Sequence, residues 1–212
     1  MSIYLDHAAA TPLDNDVLKA MMPYLTDMFY NPSALYMSAK SVNSDLASAR
    51  SSVAAVLGAR PIEITFTAGG TEANNLAING VMKQYPDANI VVSSVEHESV
   101  LEPARQYNCR EIPVGQEGLV DITDLTKLID DKTVMVSIMY ANNEIGTIQP
   151  LRDITNVIKQ KLIERQQAGN SLPLLFHTDA CQAANYLDLH VSKKGIDLLT
   201  LNGSKLYGPK QS

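Results

Sequence analysis

The chain alternates short apolar runs with longer segments of helical period, and this alternation constrains its fold more than any other feature. Runs such as Val-Met-Val-Ser-Ile-Met at Val134–Met139 are typical of strands buried on both faces. The predicted strands are Glu63–Thr67, Asn89–Ser93, Arg110–Val114, Val134–Met139, Leu174–Thr178 and Asp197–Leu201. The predicted helices are Asp14–Phe29, Ser38–Leu57, Thr71–Gln84, Ser99–Tyr107, Ile122–Ile129 and Leu151–Gln167. The pattern predicts an α/β fold, a mostly parallel sheet with crossover helices.

Composition narrows the function classes. The 212 residues can bury one domain core, and 17 basic against 23 acidic residues give a net charge of −6. This mild acidity argues against direct nucleic-acid binding and against an anionic membrane surface as partner. No stretch approaches the roughly 20 apolar residues of a membrane span. Two cysteines without Cys-x-x-Cys spacing, Cys109 and Cys181, favour a cytoplasmic protein over a disulfide framework.

In open parallel sheets, ligands bind beyond the carboxyl ends of the strands. The first predicted strand is followed there by Ala-Gly-Gly-Thr, Ala68 to Thr71. Two glycines and a threonine at a helix start could direct N–H groups and a hydroxyl at a phosphate, or could form only a tight turn in which Thr71 caps the helix. The spacing is neither Gly-x-Gly-x-x-Gly nor a Walker loop, which disfavours a Rossmann-type nucleotide binder.

Polar residues follow the later strands, and each of them could have either a structural or a functional role. His97 follows the second strand, where a lone histidine is more often structural. Asn142 and Asn143 could be turn formers or could bind a ligand. Asp179 directly follows an apolar strand, which is costly unless the carboxylate is paired or functional. A metal bound by His177 and Asp179 is disfavoured because no third ligand is evident, so no metal site is predicted.

Taken together, successive strand ends present Gly-Gly-Thr, His, Asn-Asn, Asp-x-x-Gln and finally Lys205 on one edge of the sheet. Pyridoxal 5'-phosphate (PLP) needs a helix N-terminus for its phosphate and a carboxylate for its pyridine nitrogen. It also needs a lysine for its aldehyde and a planar group above its ring. The order and common placement of these residues predict a PLP site.

The chain resembles the cysteine desulfurases, PLP enzymes of the class V aminotransferase group with a fold-type-I large domain. The matching stretches run in family order and cover nearly the whole chain: Tyr4–Pro12, Asn31–Ser33, Phe66–Ile78, Glu96–Leu101, Val136–Pro150, His177–Gln182 and Lys205–Lys210. Asn-Asn-Glu-Ile-Gly and Asp-Ala-x-Gln are quite specific to this group.

The resemblance implies a role for each matching residue. Lys205 would bind the cofactor covalently, and His97 would stack on its ring and move protons; these two are the predicted catalytic residues. Around them, Asp179 would pair with the ring nitrogen, Gln182 with the ring hydroxyl, Gly70 and Thr71 with the phosphate, and Asn143 would lie near cofactor and substrate carboxylate.

One departure from the family lies beside the lysine. The family usually has Ser-x-His-Lys there, whereas this chain has Asn202-Gly203-Ser204-Lys205. We expect Asn202 and Ser204 to bind the phosphate more weakly or through rearranged hydrogen bonds.

The resemblance also implies a domain plan. Residues 1–13 would be an N-terminal arm and 14–212 a PLP-binding large domain truncated at its C-terminus, with the small C-terminal domain absent. In the family the further chain supplies the cysteine nucleophile and the arginine that binds the substrate carboxylate. Neither Cys109 nor Cys181 matches the position of that nucleophile. The 212 residues alone are therefore expected to bind PLP weakly and to lack turnover.

The implied activity of the parent protein converts L-cysteine to L-alanine and passes the sulfur to an enzyme persulfide, for iron–sulfur clusters or thiolated tRNA. A sulfur-acceptor or scaffold protein and a second copy of the chain in a homodimer are the expected partners. Selenocysteine lyase or another class V PLP enzyme is an alternative. A second alternative is a PLP-binding or interaction module without catalytic activity. Measuring alanine and sulfide produced from cysteine would distinguish an enzyme from such a module.

Overall fold

The computed structural model describes residues 3–210, so Met1, Ser2, Gln211 and Ser212 at the ends of the two predicted domain units lie outside the described residues. The helices are α1 (Asn15–Thr26), α2 (Met37–Leu57), α3 (Gly70–Met82), α4 (Glu98–Ala104), α5 (Ile122–Leu128), α6 (Leu151–Gln167) and α7 (Val191–Lys194). The strands are β1 (Asn89–Ser93), β2 (Asn108–Ile112), β3 (Thr133–Ser137), β4 (Leu175–Asp179) and β5 (Leu198–Thr200). Single turns of 3-10 helix lie at Pro61–Glu63 and Gly203–Lys205.

The five strands form one sheet in the order β2-β1-β3-β4-β5, and every pair is parallel. The register brings Val136 beside Phe176 and Thr178 beside Leu199. The α/β prediction is confirmed, and five of the six predicted strands are present with boundaries shifted by at most two residues. Because all strands run the same way, their carboxyl ends share one edge, which is where the predicted site residues gather.

The first predicted strand, Glu63–Thr67, is wrong. Pro61 fixes its own φ and begins a 3-10 turn, in which the Glu63 carboxylate accepts a hydrogen bond from the Arg60 N–H at 2.7 Å. Residues 64–67 continue as irregular chain outside the described sheet, and the Arg50 guanidinium donates to the Ile64 carbonyl. A strand exists only where a neighbour pairs with its backbone groups, and apolar composition alone does not supply one.

All six predicted helices are present, and α6 has the predicted bounds. Helix α1 begins one residue after the predicted start because the Asp14 side chain accepts a hydrogen bond from the Asp16 N–H at 2.7 Å and so caps it. It ends at Thr26, before the predicted Phe29. Helix α2 ends at Leu57 and is capped by Gly58, whose φ of +64° is the left-handed conformation that glycine adopts readily. The single turn α7 was not predicted, since four residues show no helical period.

Helices cover both faces of the sheet. Val91 of β1 packs into one buried cluster, together with residues of α5 and α6. Its neighbours Ile90 and Val92 face the opposite side and pack into a second cluster with residues of α3 and α4. This alternation explains why the strands are apolar throughout.

None of the residues of helix α1 is buried, which among the other helices holds only for the single turn α7. Met22 and Leu25 on this helix, and Phe29 just beyond it, expose 46%, 64% and 69% of their surface. Within residues 3–210, no helix is both long and apolar enough to cross a membrane.

Candidate active site

A cavity of about 510 Å³ opens at the carboxyl edge of the sheet. Eight of the nine predicted site residues line it: Gly70, Thr71, His97, Asn143, Asp179, Gln182, Asn202 and Lys205. Ser204 does not. Residues that lie up to 135 positions apart in the chain, such as Gly70 and Lys205, therefore share one space.

A second cavity, of about 530 Å³, lies between α6, α7 and the chain leading into β4. It contains none of the predicted site residues, and its walls are formed largely by apolar side chains such as Ile158 and Leu162. Its slightly larger volume does not make it the better candidate, because it lacks a convergent set of reactive groups.

The start of α3 has no side-chain cap. Its N-cap is Gly69, with φ +130°, which has no side chain to satisfy the first N–H groups of the helix. Thr71 is therefore not the cap: it is the second residue of the helix, and it is exposed. Free N–H groups, the helix dipole and a hydroxyl at one place suit a phosphate.

Asp179 ends β4 and is buried, with 6% of its surface exposed. Its Oδ2 accepts a hydrogen bond from Asn74 Nδ2 at 2.8 Å, and its Oδ1 accepts one from the Cys181 backbone N–H at 2.9 Å. These bonds satisfy a buried carboxylate and fix its direction at the cavity wall.

His97 is the N-cap of α4, and its imidazole lies at the cavity. Its Nδ1 accepts a hydrogen bond from the Ser99 backbone N–H at 3.0 Å and lies 2.8 Å from Ser99 Oγ. The histidine thus caps a helix and also lines the candidate site.

The N-terminal arm closes one side of the cavity. Lys205 donates from Nζ to the carbonyl oxygens of Ala8 and Ala9, and Gln182 Nε2 donates to Ala8 at 2.9 Å. Further along the arm, the Thr11 hydroxyl donates to the Ser204 carbonyl at 2.8 Å. The resemblance at Tyr4–Pro12 marks this stretch, but nothing in the sequence predicts that its backbone lies against the lysine.

The two asparagines after β3 have different surroundings. Asn142 Oδ1 accepts from the N–H groups of Glu144 and Ile145, and its Nδ2 donates to the Val95 carbonyl, so this side chain shapes the turn. Asn143 lines the cavity and is half-buried. Asn142 therefore acts as a turn former, whereas Asn143 is the asparagine that faces the cavity.

The departure from the family pattern beside the lysine also has a defined geometry. Ser204 Oγ donates to Asn202 Oδ1 at 2.7 Å, and the Ser204 N–H donates to the same oxygen. The Asn202 amide nitrogen lies 3.6 Å from where a Cβ on Gly70 would stand, close to the start of α3. The Asn202 amide thus lies near the start of α3, and Ser204 holds its orientation through two hydrogen bonds to Oδ1.

Two further ionisable groups lie buried near the site. Burial raises the pKa of Glu96 to about 8, although its Oε1 accepts hydrogen bonds from Ser93 and from the Met139 N–H. Burial lowers the pKa of His177 to about 4, and its ring nitrogens lie against Ser137 Oγ and Thr200 Oγ1. His177 therefore cross-links three strands as a neutral side chain.

Sequence reasoning missed Asn74, Ser99 and the arm residues Ala8 and Ala9, all of which line the cavity. Asn74 lies four positions after Gly70, one helical turn further along the same face, and this spacing was the available signal. The arm contacts carried no such signal because they are made by backbone carbonyls.

Comparisons with known proteins agree with this geometry. Residues 3–210 match the family Aminotransferase class-V. The chain is 39% identical to the cysteine desulfurase IscS of Dictyoglomus turgidum, over 98% of the chain and 52% of that protein. It is 40% identical to a mitosomal cysteine desulfurase of Encephalitozoon cuniculi, over 98% of the chain and 48% of that protein.

Among solved structures, that of SspA in complex with cysteine superimposes with a TM-score of 0.90 at 35% identity, over 99% of this chain and 59% of that one. The fold and site define a class V aminotransferase-type protein. This chain belongs to the Aminotransferase class-V family, and the two curated relatives described above are cysteine desulfurases. It spans about half the length of the relatives it matches.

Proposed function

We propose that the cavity at the carboxyl edge of the sheet holds PLP. The observation that carries this proposal is that Lys205, Asp179 and His97 line one cavity together with the uncapped start of α3. Each of these groups answers one requirement of the cofactor, and a volume of about 510 Å³ is within the range of small-molecule sites. The residues present therefore fit the group.

When bound, PLP supplies an electron sink that stabilises negative charge next to a substrate amine. The protein residues would hold and orient it: Thr71 and the α3 N–H groups at the phosphate, Asp179 at the ring nitrogen, Lys205 through its amine. Asn74 and the Cys181 N–H already hold the Asp179 carboxylate in place. His97 would cover the ring, and Gln182, Asn143 and Asn202 would supply amide hydrogen bonds.

We propose further that the protein of which this chain is part is a cysteine desulfurase, taking L-cysteine to L-alanine. Its relatives carry that name, and the SspA structure contains cysteine. The test uses the protein in its natural length with PLP, cysteine and a reductant, and measures alanine and sulfide. Both products are expected, and Lys205→Ala should abolish them. Absence of alanine, or equal alanine from the variant, would refute the assignment.

The 212 residues alone are proposed to give little turnover. Burial, with a contribution from Asp179, raises the pKa of the Cys181 thiol. Burial likewise raises the pKa of Cys109, to about 11. Thiols with raised pKa values are poor nucleophiles at neutral pH because the thiolate is the reactive form. Sulfide production by this chain equal to that of the protein in its natural length would contradict this.

The partners of the protein are also proposals. A homodimer is supported by helix α1, which has no buried residue and exposes Met22 and Leu25. A sulfur-acceptor or scaffold protein follows from the proposed activity, as does a place in iron–sulfur cluster assembly. A cytoplasmic location is favoured by two free cysteines, although one relative is mitosomal. Sedimentation of the purified protein would test the dimer.

A further inference from the structure

A hydrogen-bonded chain of four side chains joins the two sides of the candidate site. From Asp179 Oδ2 it passes to Asn74 Nδ2 over 2.8 Å, from Asn74 Nδ2 to Ser99 Oγ over 2.9 Å, and from Ser99 Oγ to His97 Nδ1 over 2.8 Å. Asn74 is completely buried and Ser99 nearly so. Neither residue belongs to the set implied by the resemblance.

Asp179 decides which groups in this series of hydrogen bonds donate and which accept. A carboxylate only accepts hydrogen bonds, so the Asn74 group that faces it must be the NH₂. The same nitrogen faces Ser99 Oγ, and its two hydrogens serve the two contacts. Turning the amide over would place its oxygen against the carboxylate. In the observed orientation Asn74 Oδ1 is buried with no hydrogen-bond partner among the described residues, a cost that the contact with Asp179 offsets.

Ser99 accepts a hydrogen bond from Asn74 and donates one to His97. Its oxygen accepts from Asn74, so its single hydrogen is free to point at His97 Nδ1, 2.8 Å away. The Ser99 backbone N–H points at the same nitrogen from 3.0 Å. With two donors aimed at it, Nδ1 must offer its lone pair. A neutral imidazole carries one proton, which then sits on Nε2.

We propose that Asn74 and Ser99 are positioning residues that hold neutral His97 as the Nε2–H tautomer, so that it meets a bound molecule as a hydrogen-bond donor. Among the described residues Nε2 has no hydrogen-bond partner, so its N–H is available to a ligand. If PLP binds as proposed above, His97 donates to it or to the substrate.

The test reads the tautomer directly. The protein in its natural length, without cofactor, is labelled with ¹⁵N at the δ1 position of histidine and studied by solid-state NMR, in which protonated and unprotonated ring nitrogens are well separated. His97→Asn identifies the His97 signal by its loss. We expect the signal in the unprotonated position. A signal in the protonated position overturns the proposal.

Substitutions test the parts assigned to Asn74 and Ser99. Asn74→Asp keeps the shape but replaces the donor with an acceptor, which turns the Ser99 hydroxyl away from His97, and Ser99→Ala removes that hydroxyl. Both should shift part of the His97 signal to the protonated position, whereas the matched control Ser99→Thr, which keeps the hydroxyl, should not. If neither variant changes the signal, the side chains do not set the tautomer. Because no cofactor is present, the result is independent of whether PLP binds.

Discussion

The side-chain amine of Lys205 lies 2.7 Å from the backbone carbonyl oxygen of Ala9, across 196 positions of sequence. A second bond from the same amine reaches the Ala8 carbonyl. Carbonyl oxygens accept hydrogen bonds and carry no charge, so they hold the amine at the cavity without forming an ion pair with it. The arm and the lysine therefore form one structural unit at the site.

This placement predicts where the cofactor attaches. When PLP is added and the mixture is reduced with borohydride, peptide mass spectrometry should find the added mass on Lys205. Lys205→Arg should remove the label because a guanidinium does not react with the aldehyde. Lys19→Arg, at an exposed lysine paired with Asp16, is the control and should leave labelling unchanged. Label distributed over several surface lysines would contradict a specific site.

Gly70 is predicted to be required for its lack of a side chain. A Cβ there would stand 2.9 Å from Cys181 Sγ, closer than such atoms approach. Gly70→Ala should therefore lower the free energy of unfolding in urea by about 1–3 kcal/mol. Adding Cys181→Ala removes the clash, and the double variant should be less destabilised than the sum of the two changes by at least about 0.5 kcal/mol.

Gly80 on the same helix is the matched control for this comparison. A Cβ at Gly80 meets nothing within 4 Å, so Gly80→Ala should stabilise the protein by about 0.5–1 kcal/mol through helix propensity. Equal effects at the two glycines would mean that the contact with Cys181 is not what matters at Gly70.

Glu96 should make stability depend on pH. Burial raises its pKa from an ordinary 4.5 to about 8, so between these values the folded state holds a proton that the unfolded state has released. The group's contribution to stability is therefore complete below the lower value and is lost as the pH rises toward the upper one. Glu96→Gln cannot titrate, and its free energy of unfolding should fall less over this interval than that of the wild type.

The control for this titration is Glu98→Gln, at an exposed position on α4. Its stability should follow the wild-type pH curve in urea unfolding. If Glu96→Gln also follows the wild-type curve, Glu96 is ionised in the folded protein and the raised pKa is refuted.

Substitution of the adjacent asparagines should have different effects: one should lower the stability of the protein and the other should weaken ligand binding. Asn142→Ala removes three hydrogen bonds that shape the turn and should cost about 1–3 kcal/mol in urea unfolding. Asn143→Ala should change stability by no more than about 0.5 kcal/mol and should weaken PLP or cysteine binding. The reverse pattern would show that the two side chains have been assigned the wrong way round.

Much of the site could be predicted because a parallel sheet brings the carboxyl ends of its strands to one edge. Apolar runs such as Val134–Met139 predict buried parallel strands, and in a parallel sheet the residues that follow the strands lie at one edge. Asp179 and His97 are two such residues. The resemblance then added a role for each. The error at Glu63–Thr67 has a different origin, since pairing depends on a neighbour that local composition cannot report.

By itself the sequence determined the α/β architecture and the edge at which the reactive groups gather, because the hydrophobic period is a local property and a crossover helix between two strands makes them run parallel. Tertiary structure alone decided the contact of Asn74 with Asp179, 105 positions away, and that of Lys205 with the arm. It also decided that Glu96 is buried beside Ser93 and Met139. Hydrogen-bond direction and desolvation depend on which distant groups meet within about 3 Å, and only the folded chain brings them together.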